Sequence, residues 1–146
     1  FGTYDVTINT LFLNRAMLQN APEYEILFYL YHELRHAMQY LRPELFSTQI
    51  RESKAYVILY NGTCFKLANQ VWMECTIEGD EGYFTDAYMS LPYELDANNF
   101  AYEKVKVLCG DCPELHALYC AWMPEKRRDY NELRHLFRIV DEKLNG

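Results

Sequence analysis

The sequence predicts a helix-rich α+β fold in a single domain that spans residues 1–146. The length allows one hydrophobic core of ordinary size and is too short for two ordinary domains. Apolar residues recur with helical spacing over long stretches that begin beside prolines, as at Pro22 and Pro92. Short runs of β-branched and aromatic residues indicate a small antiparallel sheet as well.

The first elements follow from local signals. Residues 6–13 alternate in part between apolar and polar side chains, which predicts a strand. Pro22 and the two acidic residues after it begin a helix that runs to about Leu41, because the Arg42-Pro43 step disfavours helical backbone. Residues 43–53 are predicted to form a polar connection.

The middle of the chain has two competing interpretations. Asn61-Gly62 is typical of a type I′ turn and would join residues 57–60 and 63–65 in a short hairpin. Phe65 begins a run with helical spacing, which predicts a helix instead. We favour the turn, with a helix after it. The other members of the helical run are Ala68, Trp72 and Cys75.

Three more helices are predicted after a polar break at residues 79–82. Pro92 opens the first, which covers roughly residues 93–108. The run Asp111-Cys112-Pro113 begins the second, which ends near Pro124. The third runs from Glu125 to about Leu144.

The helix that begins after Pro22 contains the run His32-Glu33-Leu34-Arg35-His36. At about 100° per residue, His32 and His36 lie one turn apart on one edge of the helix. The opposite edge reads as an ordinary core stripe of apolar residues. That stripe consists of Leu27, Leu30, Leu34, Ala37 and Leu41.

Two imidazoles at this spacing can direct nitrogens at one metal ion, and Zn2+ is the ion that the pattern favours. Glu33 projects between the two faces, where its carboxylate can take a proton from a water held by the metal. We therefore expect His32 and His36 to bind zinc and Glu33 to act as the general base. The later run Glu132-Leu133-Arg134-His135 has Asn131 in place of the first histidine, so it reads as helix surface.

A catalytic zinc needs a third protein ligand, and the helix after Pro92 offers one. Glu94, Ala97, Asn98 and Ala101 share one face of that helix, and its small residues would allow the histidine helix to approach closely. We expect Glu94 to reach the metal and Asn98 to hydrogen-bond a ligand. The alternative carboxylates are Asp96 and Asp86.

The run HELRH followed by ELDANNFA resembles the gluzincin-type metallopeptidases, in particular the ImmA/IrrE-like group. The similarity covers roughly residues 24 to 104. By this resemblance Glu94 corresponds to the third zinc ligand and Asp96 to an accompanying acid. The resemblance also implies a zincin-like fold, with a small antiparallel sheet beside the HExxH helix. In such enzymes an extended substrate commonly lies along an edge strand.

These residues predict a zinc metallopeptidase that hydrolyses a peptide bond of a protein or peptide substrate. The resemblance implies a regulatory enzyme, or one related to phages or mobile elements. The alternative is a zinc-binding but non-catalytic interaction domain of a larger protein, and a third hypothesis is an acidic helical interaction domain without metal. A tyrosine could donate to the oxyanion, and the candidates are Tyr29, Tyr40, Tyr88 and Tyr93.

Charge and hydropathy narrow the expected partners. The formal net charge of −7 disfavours nucleic acid, because the dense basic run at residues 126–128 reads as solvated helix surface. No apolar run is long enough to cross a bilayer, so no membrane partner is expected. Five cysteines form no dense framework, which favours a reducing cytoplasm.

The segment with Cys109, Cys112, His116 and Cys120 invites a second metal interpretation. The last three of these residues lie at successive helical turns and extend over about 12 Å, too far for one tetrahedral ion. A redox pair of Cys109 and Cys112 at a helix N-terminus is the other functional interpretation. We expect reduced, partly buried cysteines that serve packing.

Overall fold

The computed structural model describes residues 2–146, and it confirms the helix-rich α+β class. The helices are α1 (Arg15–Asn20), α2 (Glu23–Leu41), α3 (Thr48–Ser53), α4 (Glu81–Ser90), α5 (Pro92–Cys109), α6 (Pro113–Ala121) and α7 (Tyr130–Asn145), with a short 3-10 helix at Pro43–Leu45. The strands are β1 (Gly2–Asp5), β2 (Thr10–Leu13), β3 (Tyr56–Ile58), β4 (Thr63–Ala68) and β5 (Val71–Thr76). The strands form two antiparallel sheets, β1-β2 and β3-β4-β5.

Contacts group the described residues into two compact units. The first unit covers residues 2–46 and 95–123. It contains the β1-β2 sheet, which packs against α2, together with α1, the 3-10 helix, α6 and α5 from Leu95 onward. Its buried core consists of Met17, Phe28, Tyr29, Ala101, Val105 and Leu115.

The second unit covers residues 47–94 and 124–146. In it, α7 packs against β4 and β5, and α4 packs against β3. The prediction of a single domain over residues 1–146 stays a prediction. The buried core of this unit consists of Ile58, Cys64, Ile77, Phe84, Ala87, Leu91, Tyr93, Leu133, Leu136, Phe137 and Val140.

Helix α2 has the predicted bounds, for the predicted reasons. Pro22 precedes the first helical residue with extended backbone, and Glu23 and Glu25 lie in the first turn, where the helix dipole favours acids. Arg42 ends the helix before Pro43. Local chemistry therefore determines both ends of this helix.

The expected core stripe of α2 was wrong. Leu34 and Leu41 are 40% and 57% exposed. The buried residues of the helix are instead apolar Phe28 and Tyr29 together with polar residues that include His32, His36 and Gln39. The polar face can be buried because hydrogen-bond partners on α5 satisfy it, a property that hydrophobic periodicity does not report.

The prediction of one strand over residues 6–13 was wrong in part. Residues 6–9 form the turn of a hairpin between β1 and β2, and Asn9 has a φ of 48° there. The polar connection predicted for residues 43–53 instead contains the 3-10 helix and α3. Ser47 begins α3, because its side chain accepts a hydrogen bond from the amide of Ile50.

The helix predicted from Phe65 was also wrong, because β4 and β5 occupy that stretch. Asn69 and Gln70 connect these strands with φ values of 52° and 64°, and positive φ at both positions is what a type I′ turn requires. At the expected site, φ is positive at Gly62 but not at Asn61. The type I′ turn therefore lies one hairpin later than predicted.

The later helices agree with the sequence in part. Helices α5 and α6 begin at the expected prolines. Helix α4 was missed, although Asp80 caps it by accepting from the amide of Tyr83 at 3.0 Å. Helix α7 begins at Tyr130 rather than Glu125, so the basic run at residues 126–128 precedes this helix.

Two glycines with the same φ allow a matched test of how tightly the turn before β4 is packed. Gly62 and Gly110 both have a φ of 84°, but a Cβ at Gly62 would lie 2.1 Å from the carbonyl oxygen of Ile77, whereas one at Gly110 would meet nothing within 4 Å. We expect Gly110→Ala to lower the free energy of unfolding by about 1–2 kcal/mol, the cost of left-handed backbone. Gly62→Ala should cost at least about 3 kcal/mol, because the clash adds to that strain. Urea denaturation followed by circular dichroism measures both, and equal losses would contradict the clash.

Candidate metal centre

Helix α2 brings its two histidines together at their Nε2 atoms. The Nε2 atoms of His32 and His36 lie 2.9 Å apart, and the ring centroids are 4.5 Å apart at 88°. Two nitrogens on one tetrahedral zinc would be separated by roughly 3.3 Å, given zinc–nitrogen bonds of about 2.0–2.1 Å. Each ring therefore directs its Nε2 atom at one point, with nearly the nitrogen–nitrogen distance that a shared ion requires.

Glu94 on α5 completes a group that can hold a metal ion. One ligand atom from each of His32, His36 and Glu94 lies within 4.8 Å of the other two. Among residues 2–146, no other group of three histidine, cysteine or acidic side chains has such spacing. The predicted face of α5 is buried: Ala97 and Ala101 are fully covered, and Glu94 on the same face is 6% exposed.

The ring of His32 is oriented by Asn98, as expected. Its Nδ1 donates to Oδ1 of Asn98 at 2.8 Å, and Asn98 is only 2% exposed. An amide oxygen can only accept a hydrogen bond, so the hydrogen must be on Nδ1. In a neutral ring this leaves the lone pair on Nε2, the atom that faces His36.

The ring of His36 is oriented in the same way by Gln39. Nδ1 of His36 donates to Oε1 of Gln39 at 2.9 Å, while Nε2 of Gln39 donates to Oδ2 of Asp96 at 2.9 Å. The carboxylate fixes which end of the amide faces the ring, because only the NH2 group can donate to it. Both rings thus have Nδ1 bonded to an amide oxygen and Nε2 directed at the other ring, so a cation held between the two Nε2 atoms would find two nitrogen ligands.

Glu33 lies beside this pair of rings. Its Oε1 atom is 3.8 Å from Nε2 of His32, and its side chain is largely buried. Gly2, the first residue of β1, lies next to this side chain. A Cβ added to Gly2 would be 3.4 Å from Cγ of Glu33. The carboxylate is therefore adjacent to the metal-binding group without belonging to it.

The alternative carboxylates have other partners. Asp96 accepts from Nε of Arg35 at 2.8 Å and from Nη2 at 3.2 Å, besides its bond from Gln39. Asp86 accepts from the amide of Lys126 at 3.3 Å and lies 3.7 Å from Nη2 of Arg128. Neither belongs to the metal-capable group.

No role of Arg35 was predicted from the sequence. Its guanidinium carbon lies 4.6 Å from the ring centroid of Phe46 and 4.5 Å from that of Phe100. Two aromatic faces and a bidentate carboxylate therefore fix one arginine. The opposite charges of Arg35 and Asp96, on two helices that were expected to pack closely, could have predicted this ion pair.

The tyrosine candidates for an oxyanion donor make contacts with several parts of the fold. Tyr93 donates to the backbone oxygen of Tyr56 at 2.7 Å. Tyr88 packs against the core of the second unit. Tyr29 accepts from Nε1 of Trp122 at 3.3 Å, and the ring of Tyr40 lies 6.1 Å from that of Tyr4.

The cysteine segment forms no metal-capable group within residues 2–146. Sγ of Cys120 and Nε2 of His116 lie 3.5 Å apart on the surface of α6. Cys109 and Cys120 are exposed, so the expectation of partly buried packing cysteines was wrong for these two. In the second ELRH run, His135 is exposed on α7, as expected.

No protein-family model, curated protein or solved structure matches this chain. In residues 2–146, no helix combines the length and the apolar character that crossing a membrane requires. The geometry of His32, His36, Glu94 and their neighbours is therefore the basis for inferring a function.

The cysteines differ sharply in predicted reactivity. Burial raises the pKa of the Cys64 thiol to about 12, and Cys75 directly across the sheet contributes. Since the thiolate is the reactive form, Cys64 should resist maleimide at pH 8 and also at pH 9, below its pKa. Exposed Cys109 and Cys120 should react first. Peptide mass spectrometry resolves the sites, and Cys64 labelling at the rate of Cys109 in the folded chain would contradict this prediction.

Proposed function

We propose that this chain is a zinc-dependent hydrolase that cleaves a peptide bond, with His32, His36 and Glu94 as the metal ligands. The observation that carries the proposal is the convergence of these three side chains, with ligand atoms within 4.8 Å of one another. A chance pair of surface histidines would not have both Nδ1 atoms held by buried amides. Metal-binding histidines typically donate their other ring N–H to a partner of this kind, which fixes the ring.

The donor set supports zinc as the ion. Two imidazole nitrogens and one carboxylate suit zinc, whereas magnesium and calcium prefer ligand sets made of oxygen. Three protein ligands leave a coordination position for water or substrate, as in catalytic zinc sites. When bound, zinc lowers the pKa of a coordinated water toward 7 and polarises the substrate carbonyl.

Glu33 is the general base in this proposal. Its carboxylate lies 3.8 Å from the metal-facing nitrogen of His32, close enough to the candidate metal position to accept a proton from the attacking water. The same carboxylate then returns the proton to the leaving amine as the peptide bond breaks. The water proton is thus transferred to the product amine, and Glu33 is regenerated.

The small β1-β2 sheet supports a protein or peptide as the substrate. Strand β1 begins beside Glu33, and a two-stranded sheet has edges on which an extended peptide can form backbone hydrogen bonds. The net charge of −7 disfavours nucleic acid as a partner. A regulatory or phage-related role and a cytoplasmic location belong to the proposal through the HELRH and ELDANNFA resemblance and the cysteine usage.

The two ELRH runs provide a matched test of metal binding. We expect the purified chain to hold about one zinc per molecule, measured by elemental mass spectrometry after dialysis. His36→Ala should reduce this to background, because it removes one of three ligands. His135→Ala in the exposed second run should leave the zinc content unchanged. Zinc at background in the unaltered chain after reloading, or iron in its place, would overturn the proposed zinc centre.

Glu33→Gln separates hydrolysis from binding. The amide keeps the size of the side chain but cannot accept the water proton, so zinc should stay bound while cleavage falls by about 100-fold to 10,000-fold. A suitable probe is a peptide mixture from a digested proteome, in which new amino termini are counted by mass spectrometry. Glu132→Gln, at the matching position of the second run, should cleave normally.

Two outcomes would contradict the enzymatic role. Equal cleavage by Glu33→Gln and the unaltered chain would remove Glu33 from the mechanism. Zinc-loaded chain that produces no new amino termini would overturn peptide hydrolysis and favour the non-catalytic zinc-binding domain.

A further inference from the structure

Gln39 is a fully buried amide between a candidate metal ligand and a carboxylate. Its exposed fraction is 0%. One end of the amide accepts from Nδ1 of His36 at 2.9 Å, and the other donates to Oδ2 of Asp96 at 2.9 Å. A buried glutamine with hydrogen bonds at both ends has one permitted orientation, because reversing it would set donor against donor and acceptor against acceptor.

The carboxylate that orients Gln39 is itself fixed. Arg35 contacts both oxygens of Asp96, at 2.8 and 3.2 Å. The guanidinium lies between the rings of Phe46 and Phe100, with distances of 4.6 and 4.5 Å to their centroids. This ion pair holds the carboxylate in place, with Oδ2 facing Gln39.

We propose that Gln39 is a positioning residue for the metal centre, with Asp96 and Arg35 as its supports. This inference rests on the proposed metal function. Gln39 holds the hydrogen of His36 on Nδ1, so that the Nε2 lone pair is available to the ion and the ring cannot rotate away. The connection runs from Arg35 through Asp96 and Gln39 to His36, and each step is a hydrogen bond of ordinary length.

The polarity of this connection suggests a charge-exchange test. Gln39→Glu alone would place a carboxylate against the carboxylate of Asp96, and the two would repel. Gln39→Glu combined with Asp96→Asn keeps the net charge. The new glutamate then accepts from His36 and from the asparagine NH2 group. The asparagine oxygen still accepts from Nη2 of Arg35, whereas the bond from Nε, which Oδ2 of Asp96 also accepts, is lost. The double variant thus restores every hydrogen bond that involves His36.

The readouts are zinc affinity and the visible spectrum of the cobalt-substituted protein. Zinc affinity is measured at pH 7 by competition with a chromophoric chelator. We expect Gln39→Met, which keeps the length but has no amide, to weaken zinc binding by about 10-fold to 100-fold and to shift the cobalt bands. Gln39→Glu should weaken binding similarly. The double variant should recover most of the lost affinity, a rescue that general damage to the core would not produce.

The control is Gln49→Met on the surface of α3, which should match the unaltered chain in affinity and spectrum. Should Gln39→Met fail to fold by circular dichroism, the single and double charge variants still decide the question. Unchanged affinity and spectrum in the Gln39 variants, or no rescue in the double variant, would overturn the role of Gln39 and leave the metal centre standing. No zinc binding by the unaltered chain would overturn the proposed function itself.

Discussion

The hydrogen bonds from two histidine Nδ1 atoms to two side-chain amides determine the character of the whole site. Asn98 holds His32, and Gln39 holds His36. Because amide oxygens cannot donate, each ring carries a hydrogen on Nδ1, and the two Nε2 atoms face one another 2.9 Å apart. Without these two bonds, either ring could adopt the other tautomer, and the cluster would be an ordinary imidazole pair rather than a chelating one.

This requirement explains why α2 is buried on its polar side. The side chains around the histidines must be enclosed for their hydrogen bonds to be well defined, and α5 supplies the partners at Asp96 and Asn98. Small residues on α5, Ala97 and Ala101, are completely covered, as close packing of that helix face requires. Phe28 and Tyr29 of α2 are buried as well, whereas Leu34 and Leu41 are exposed.

The sequence predicted the parts of the molecule that local chemistry determines. Pro22 and Pro92 mark the starts of α2 and α5, and the HELRH spacing placed two imidazoles on one helix edge. The turn at Asn69-Gln70 was missed because glutamine rarely adopts positive φ and carries no turn signal. The role of Gln39 was missed because it depends on which helix face is buried, and tertiary partners rather than periodicity decide that.

With an ion bound as proposed, the burial of Glu33 and Glu94 beside two imidazoles would link the stability of this chain to its ion supply. Enclosing two carboxylates costs free energy through lost hydration, and that cost is borne by the folded state alone. A divalent ion that binds only the folded state adds about 2.7 kcal/mol of stability when its free concentration is 100 times the dissociation constant. If the proposed metal centre is the protein's own, its folded lifetime in a cell would follow metal availability.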